Sequence, residues 1–268
     1  MDFTQYWELI FRGGLFLGLI CLFMLLESLA PKRRLTSSRI LRWRTNLGLG
    51  FLNMAALRIL GPVTAIGAAL YAEQAGWGLL QQISLSNWIS IALTILLMDL
   101  AIYGQHVATH KINLLWRLHQ VHHSDKDIDT TTALRFHTLE ILLSMLYKAM
   151  IVLLLGPLVI AVLIYEILLN SMALFNHANL SLPKPLDRTL RWLIVTPDMH
   201  RIHHSSIPFE TDSNYGNILS IWDRLFRTYN SQPQDGHSDM TIGLQQYTDE
   251  PTELFFWSLR LPFTRSKR

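Results

Sequence analysis

The sequence predicts an all-α fold: an integral membrane helical bundle of about four to five membrane helices, including a hairpin, under a cytoplasmic helical cap. Three observations lead there. Half of the 268 residues are hydrophobic and 16% are charged, against about 25% charged in soluble domains. The apolar residues fall in long runs of membrane length. Between the runs lie two dense histidine groups. Residues 106–123 carry five of the eleven histidines, and the H-x-x-H-H spacing of His119, His122 and His123 returns at His200, His203 and His204.

The first apolar run, residues 9–30, is long enough to cross about 30 Å of hydrocarbon at about 1.5 Å per residue, and Pro31 ends it. Its acidic, aromatic flank lacks the positive n-region and cleavage site of a signal peptide, so a retained span is expected. Lys32, Arg33, Arg34, Arg39, Arg42 and Arg44 follow with no acid from 32 to 46, which the positive-inside rule assigns to the cytoplasm. The second run, 46–72, is interrupted by Gly61-Pro62 and predicts a kinked or tilted span, with Arg58 as its one charge. Residues 73–86 contain no Lys or Arg and fit the opposite side. A third span, 88–105, returns the chain to the cytoplasm and runs directly into His106.

Residues 139–178 are almost wholly apolar, with Lys148 and Glu166 among the few charges, and Gly156-Pro157 divides them. That length predicts a hairpin, spanning or re-entrant, which brings His177 back to the side of the other histidines. Residues 180–268 hold no span, ten of the 23 Lys and Arg, and the turn-rich Asp212-Ser-Asn-Tyr-Gly216. They read as the cap, with amphipathic pieces such as 186–195 at the interface. The expected divisions are therefore 1–105 for the N-terminal membrane helices, 106–138 for the first histidine segment, 139–178 for the hairpin and 179–268 for the cap. A net charge of +3 does not describe a nucleic-acid surface. The single cysteine, Cys21, excludes an internal disulfide and a Cys-based zinc or iron–sulfur site, and reads as a lipid-facing or packed residue.

On a helix, residues i, i+3 and i+4 share a face. His106 can therefore point with His110, and His119 with His122 and His123. His106 and His119 are 13 residues apart, about 3.6 turns, so a straight helix would put the two sets on different sides. A bend is expected near Lys111-Ile-Asn113. The adjacent His122 and His123 lie about 100° apart on a helix, so each can serve a different metal. Neutral imidazole binds Fe, Zn, Cu and Ni. Eight box histidines, with His177 as a ninth, exceed the three or four ligands of one zinc and suit two metals. None of the boxes has the Glu of an H-E-x-x-H zinc hydrolase. Their placement at the end of a lipid-embedded bundle favours oxidation of a lipid C–H bond. A zinc-dependent membrane hydrolase and a non-catalytic metal-binding membrane protein stay open as alternatives. His237, in a polar loop, reads as surface.

The order H-x-x-x-H, H-x-x-H-H and a late H-x-x-H-H resembles the fatty acid hydroxylase / sterol desaturase superfamily of membrane di-iron oxygenases. Asp198-Met-His-Arg-Ile-His-His-Ser205, Asn214-Tyr-Gly216 and Trp222-Asp-Arg224 look most like its alkylglycerol monooxygenase-like bacterial branch. The resemblance covers about residues 95–230. It implies His106, His110, His119, His122, His123, His177, His200, His203 and His204 as iron ligands. His137 is a further candidate, in Phe136-His-Thr-Leu-Glu140, where the family often has H-P-x-E. Asp99, Asp198 and Asp223 are candidates to orient ligands from outside the metal shell; Asp99 alternatively pairs with Arg58. Asn214-Tyr-Gly216 and Trp222-Asp223 read as structural parts closing the cap. The resemblance further implies two Fe ions, or Zn in a purified form, O2, a membrane lipid (fatty acyl, sterol or ether lipid) to be hydroxylated or desaturated, and a separate electron donor. It also implies a bacterial inner membrane, with the histidine site on the cytoplasmic side.

Overall fold

Helix breaks in this chain follow backbone chemistry. The computed structural model describes residues 3–60 and 63–264, with side chains from residue 13 onward. These residues form helices, with isolated bridges and no β-strand among them. Helix α1 (Phe3–Leu29) stops just before Pro31, and α2 (Arg39–Ile59) follows the basic loop. In α3 (Ala65–Ala75), the Thr64 hydroxyl caps the start by accepting from Gly67 N at 3.2 Å, and Gly76 in the left-handed region ends it. Helices α4 (Asn87–Lys111) and α5 (Asn113–His123) are separated by the extended residue Ile112, at φ −96° and ψ 113°. The bend thus falls where the histidine spacing requires it. The long apolar stretch divides at Gly156-Pro157 into α6 (Thr138–Leu155) and α7 (Val159–His177). Two glycines hold that turn in place. A Cβ on Gly78 would lie 2.4 Å from Gly156 Cα, and one on Gly156 would lie 2.2 Å from Trp77 O. The connector between α3 and α4 reaches the hairpin turn only because both side chains are absent.

Helices α4, α6 and α7 are long and apolar enough to cross a membrane, and α1 adds the apolar stretch Gly13–Leu29. Leu143, Leu146, Met150 and Leu154 of α6 face outward, as lipid contact demands. Inside, small residues let the helices approach. Ala65, Ala68 and Ala69 of α3 pack against Met145, Ala149 and Val152 of α6 and Val162 and Tyr165 of α7, with Met98 of α4 in the same cluster.

The second apolar run does not form one kinked span. It divides into α2 and the short α3, with Gly61-Pro62 lying outside the described residues. The physical reason is the inner face of α2, where Arg42, Thr45, Asn46 and Asn53 are buried, while Phe51 and Met54 point outward. Apolar composition there marks the outer surface, and the polar residues mark a packed interior.

That polar face holds the segment after His123 in place. Arg42 Nε donates to Asp125 Oδ1 and Nη1 to Asp129 Oδ2, both at 2.6 Å. Arg135, also fully buried, donates to the carbonyls of Val121 (2.8 Å) and Thr252 (2.6 Å) and to Asn46 Oδ1 (3.0 Å). Together they fix the end of α5, the turn 124–135 and the C-terminal segment as one unit.

The chain after α7 returns to the end of α1, where Lys32 N donates to Asn179 O (3.0 Å) and Ser181 N to Ala30 O (2.9 Å). It then builds a cap of short helices, including α8 (Lys184–Leu190) and α9 (Pro197–His203). Trp192 and Leu193, just after α8, are exposed. The cap is fastened to α4 by Asp99, whose Oδ2 accepts from Leu219 N (3.0 Å) and Trp222 Nε1 (2.9 Å). Asp99 is thus paired with the cap rather than with Arg58.

Burial alone would raise the Asp125 carboxyl, but Arg42 overcomes this and lowers it to about 2. Because the folded value lies below the ordinary one, the stabilisation is present above pH ~4 and is lost as pH falls towards ~2. Arg42→Met leaves two buried acids without their cation and should cost about 3–5 kcal/mol. In acid titrations followed by helical circular dichroism, Arg42→Met should unfold at clearly higher pH than the parent.

Candidate metal centre

Two sets of buried imidazoles meet where α4, α5, α7 and α9 converge. His106, His110, His119, His123 and His203 form one group, and His122, His177, His200 and His204 the other. Within each group one nitrogen per ring lies within 4.8 Å of the others. The groups adjoin: the His123 and His204 rings stack at 4.6 Å, and His122 and His123 are 5.3 Å apart.

The sharing follows from helical spacing. In the middle box, His119 and His123, at i and i+4, enter the first group and His122 turns to the second. In the last box, His200 and His204 enter the second group and His203 turns to the first. Each H-x-x-H-H box therefore feeds both groups, and the two boxes do so in opposite sense. His106 and His110 join from the end of α4, across the bend at Ile112. His177 comes from the last residue of α7.

Six of the nine rings have an acceptor at Nδ1. His106 donates to Tyr215 O, His177 to Ala173 O and His203 to Ser213 O, each at 2.7 Å. His122 donates to Arg135 O at 3.2 Å, His119 to Glu140 Oε1 at 2.6 Å and His110 to Asp212 Oδ1 at 3.4 Å. Such bonds select the tautomer with its proton on Nδ1 and turn the Nε2 lone pair inward. The inward atoms then lack protein donors. Nε2 of His106, His119, His203 and His204 is buried with no hydrogen-bond partner. In the second group His122 Nε2 lies 3.1 Å from His177 Nε2, which lies 3.0 Å from His200 Nε2. With His122 and His177 both donating from Nδ1, two lone pairs face each other at that distance. The arrangement fits metal cations between the rings, since neutral imidazole is a metal ligand and a cation removes the repulsion.

Burial lowers His122, His123, His200, His203 and His204 well below the usual histidine range, and neighbouring imidazoles lower them further. The site therefore keeps its ligands neutral and available.

The other candidates fall elsewhere. His137 is in neither group. It caps α6, its Nδ1 accepting from Leu139 N at 3.2 Å, with Nε2 3.3 Å from Leu259 O. Asp223 accepts from Tyr215 N (2.8 Å), Gly216 N (2.9 Å) and Thr228 Oγ1 (2.7 Å), and so positions the residue whose carbonyl holds His106. Asp99 reaches the cap, as above. Asp198 binds Lys32 Nζ at 2.5 Å and pairs closely with Arg201, tying α9 to the segment after α1. His237 is not a free surface residue: it sits half-buried, 3.7 Å from Asp198. Glu140 and Asp212, which do touch ligand-type histidines, were not among the candidates. Glu140 is the last residue of the Phe136-His-Thr-Leu-Glu140 element, whose histidine is the more conspicuous ligand type.

A family model described as Fatty acid hydroxylase matches residues 91–228, which include all nine grouped histidines. The chain belongs to the fatty acid hydroxylase family. Among curated relatives, an alkylglycerol monooxygenase of Xenopus tropicalis is 34% identical over 51% of this chain and 30% of its own length. The Homo sapiens alkylglycerol monooxygenase is 31% identical over 65% of this chain and 37% of its own. The ornithine lipid hydroxylase OlsE of Rhizobium tropici is 29% identical over 66% of this chain and 51% of its own. The chain thus spans about a third to a half of the length of these relatives. No solved structure matches it.

In this member of the family, three of the first group's rings are aimed by residues of one short turn, 212–215. Asp212 holds His110, Ser213 O holds His203 and Tyr215 O holds His106. Asn214, between the two carbonyls, is left-handed at φ 51°, a region open to Asn and Gly and strained for β-branched residues. Its side chain is anchored to Met199 O (3.0 Å) and to Asn230 O (2.9 Å). The turn named in the sequence as structural therefore sets the aim of the histidines.

Two outcomes follow from this geometry. Asn214→Val adds about 1–2 kcal/mol of backbone strain and should weaken Co(II) binding, read from its visible d–d bands, more than Asn214→Gly does. In the metal-free protein, the five histidines named above have folded values below their unfolded ones, so unfolding takes up protons. Stability should therefore fall as pH drops below about 6.5, by up to about 1.4 kcal/mol per pH unit for each histidine. Thermal unfolding between pH 8 and pH 5 checks this, and bound metal should flatten the dependence.

Proposed function

We propose that the chain is a membrane-bound oxygenase that holds two iron ions in its histidine groups and uses O2 to hydroxylate or desaturate a C–H bond of a membrane lipid. The observation that carries this is the pair of buried groups, five and four imidazoles with inward nitrogens, in a fatty acid hydroxylase with helices of membrane length. The relatives named for alkylglycerols and for an ornithine lipid support a lipid with a polar head as substrate class. His106, His110, His119, His123 and His203 would hold one ion, and His122, His177, His200 and His204 the other. Bound iron would supply the one-electron chemistry toward O2 that unactivated C–H bonds require.

The chain's own residues prepare that chemistry. Glu140 and the carbonyls of Arg135, Ala173, Ser213 and Tyr215 hold the rings in one tautomer, so the ligand set needs no rearrangement on loading. Burial of the groups excludes water, which protects a reactive oxidant from side reactions. The histidine groups sit at the ends of α4 and α7, two helices of membrane length, which supports a lipid meeting the site without leaving the bilayer. Electrons come from a separate donor. The basic loop 32–44 supports the cytoplasmic side for this end of the bundle, and the membrane proposed is a bacterial inner membrane.

Cells with and without the protein, grown under isotopically heavy O2, test the reading by lipid mass spectrometry. One lipid class should gain the heavy oxygen, or lose two hydrogens, and His122→Ala should abolish the change. Firmly bound zinc with turnover that is independent of O2 would overturn it.

A further inference from the structure

A cavity of about 330 Å³ opens between α4, α5 and α6. Gly104 and Leu143 at its edge are exposed and lie on two helices of membrane length, so its mouth faces hydrocarbon. Ala108, Leu115 and Leu118 make its walls apolar. Its lining also includes Glu140, only 7% exposed. One oxygen of this carboxylate holds His119 at 2.6 Å, and the other, Oε2, is buried with no hydrogen-bond partner. A buried acceptor is rarely left unpaired, and here its side chain is part of the wall of a lipid-facing cavity.

We propose that this cavity binds the head end of a single-chain amphiphile that carries a hydroxyl or amide N–H. The donor meets Glu140 Oε2, and the alkyl chain runs out past Gly104 and Leu143 into the bilayer. The volume lies at the small end of ligand sites and suits a small head with the first part of one chain, not a whole two-chain lipid. Glu140 then joins the bound lipid to His119 through its two oxygens, which places the chain beside the first histidine group. This deepens the lipid-oxygenase reading and rests on it for the identity of the occupant as substrate. Gly104 gives access to a test, since a Cβ added there meets nothing within 4 Å. A larger side chain at this position enters the cavity without straining the helix.

The probe is a long-chain primary alcohol with a photoreactive diazirine in its chain, irradiated with the purified protein in detergent without added iron or reductant. Peptide mass spectrometry should find the label on residues 104–118 and 140–147. An unlabelled long-chain alcohol should compete, and an alkane of equal length should compete about tenfold less well, the loss of one hydrogen bond. Gly104→Leu should reduce labelling about tenfold, the contact energy of about two methylenes. Leu143→Phe, on the opposite wall, should do the same, so the result does not depend on one helix tolerating substitution. Label spread over the lipid-facing sides of α4, α6 and α7 and unchanged by both substitutions, equal competition by alkane and alcohol, or no labelling overturns the proposal. Labelling needs neither O2 nor turnover, so its failure alongside intact lipid oxidation removes the cavity alone. Labelling without any lipid oxidation removes the oxygenase reading and leaves the binding site.

Discussion

Nine imidazoles packed into a water-poor interior are the constraint on which the rest of this structure depends. Neighbouring rings approach to between 4.3 and 5.5 Å, and proton-bearing forms would repel one another at those distances. The fold meets the constraint in two ways. Burial disfavours the charged form of His122, His123, His200, His203 and His204, and fixed acceptors at Nδ1 turn the lone pairs of six of the nine rings inward. Most of those acceptors are backbone carbonyls of turns and helix ends, which cannot rotate away. The cost is a centre of unpaired nitrogens that only cations relieve, so binding metal and stabilising the fold are coupled at this site.

Keeping those carbonyls in position explains much of the buried charge. Arg135 holds Val121 O and itself carries the carbonyl that accepts from His122. Arg42 gathers Asp125 and Asp129 in the same turn. Asp223 clamps the amides of Tyr215 and Gly216, and Asp99 fastens the cap to α4. These ions are paired or hydrogen-bonded throughout, as burial requires. Their role is positional: Arg135 carries the carbonyl that meets His122, and Asp223 holds the residue whose carbonyl meets His106. The membrane helices supply the other half of the frame, since α4 delivers His106 and His110 from one end and α7 delivers His177 from another.

Much of this was legible in the residues. The helical hairpin at Gly156-Pro157, the bend near Ile112 and the divergence of His122 from His123 all follow from 3.6-residue geometry and from glycine and proline chemistry, which act locally. The second apolar run divides into two helices where hydropathy predicts one span, because hydropathy counts residues and not faces. Arg42, Asn46 and Asn53 lie on the inner side of α2, and only its packing partners reveal that. In Phe136-His-Thr-Leu-Glu140 the histidine is the more conspicuous metal ligand, yet it is Glu140 that meets His119. Which of the two meets His119 depends on how α6 starts against α5.

What the sequence by itself determined is therefore the inventory: the helices of membrane length, the nine histidines, and the spacing that splits each box between two directions. Those properties depend on neighbours within a turn or two. Only the tertiary structure decided the partition into groups of five and four, the crossed contributions of the two boxes, and the acceptors behind six of the rings. Ser213, Tyr215, Arg135 and Ala173 act there through backbone carbonyls, which every residue carries. No side-chain pattern announces them, and they become specific only when distant segments are packed together.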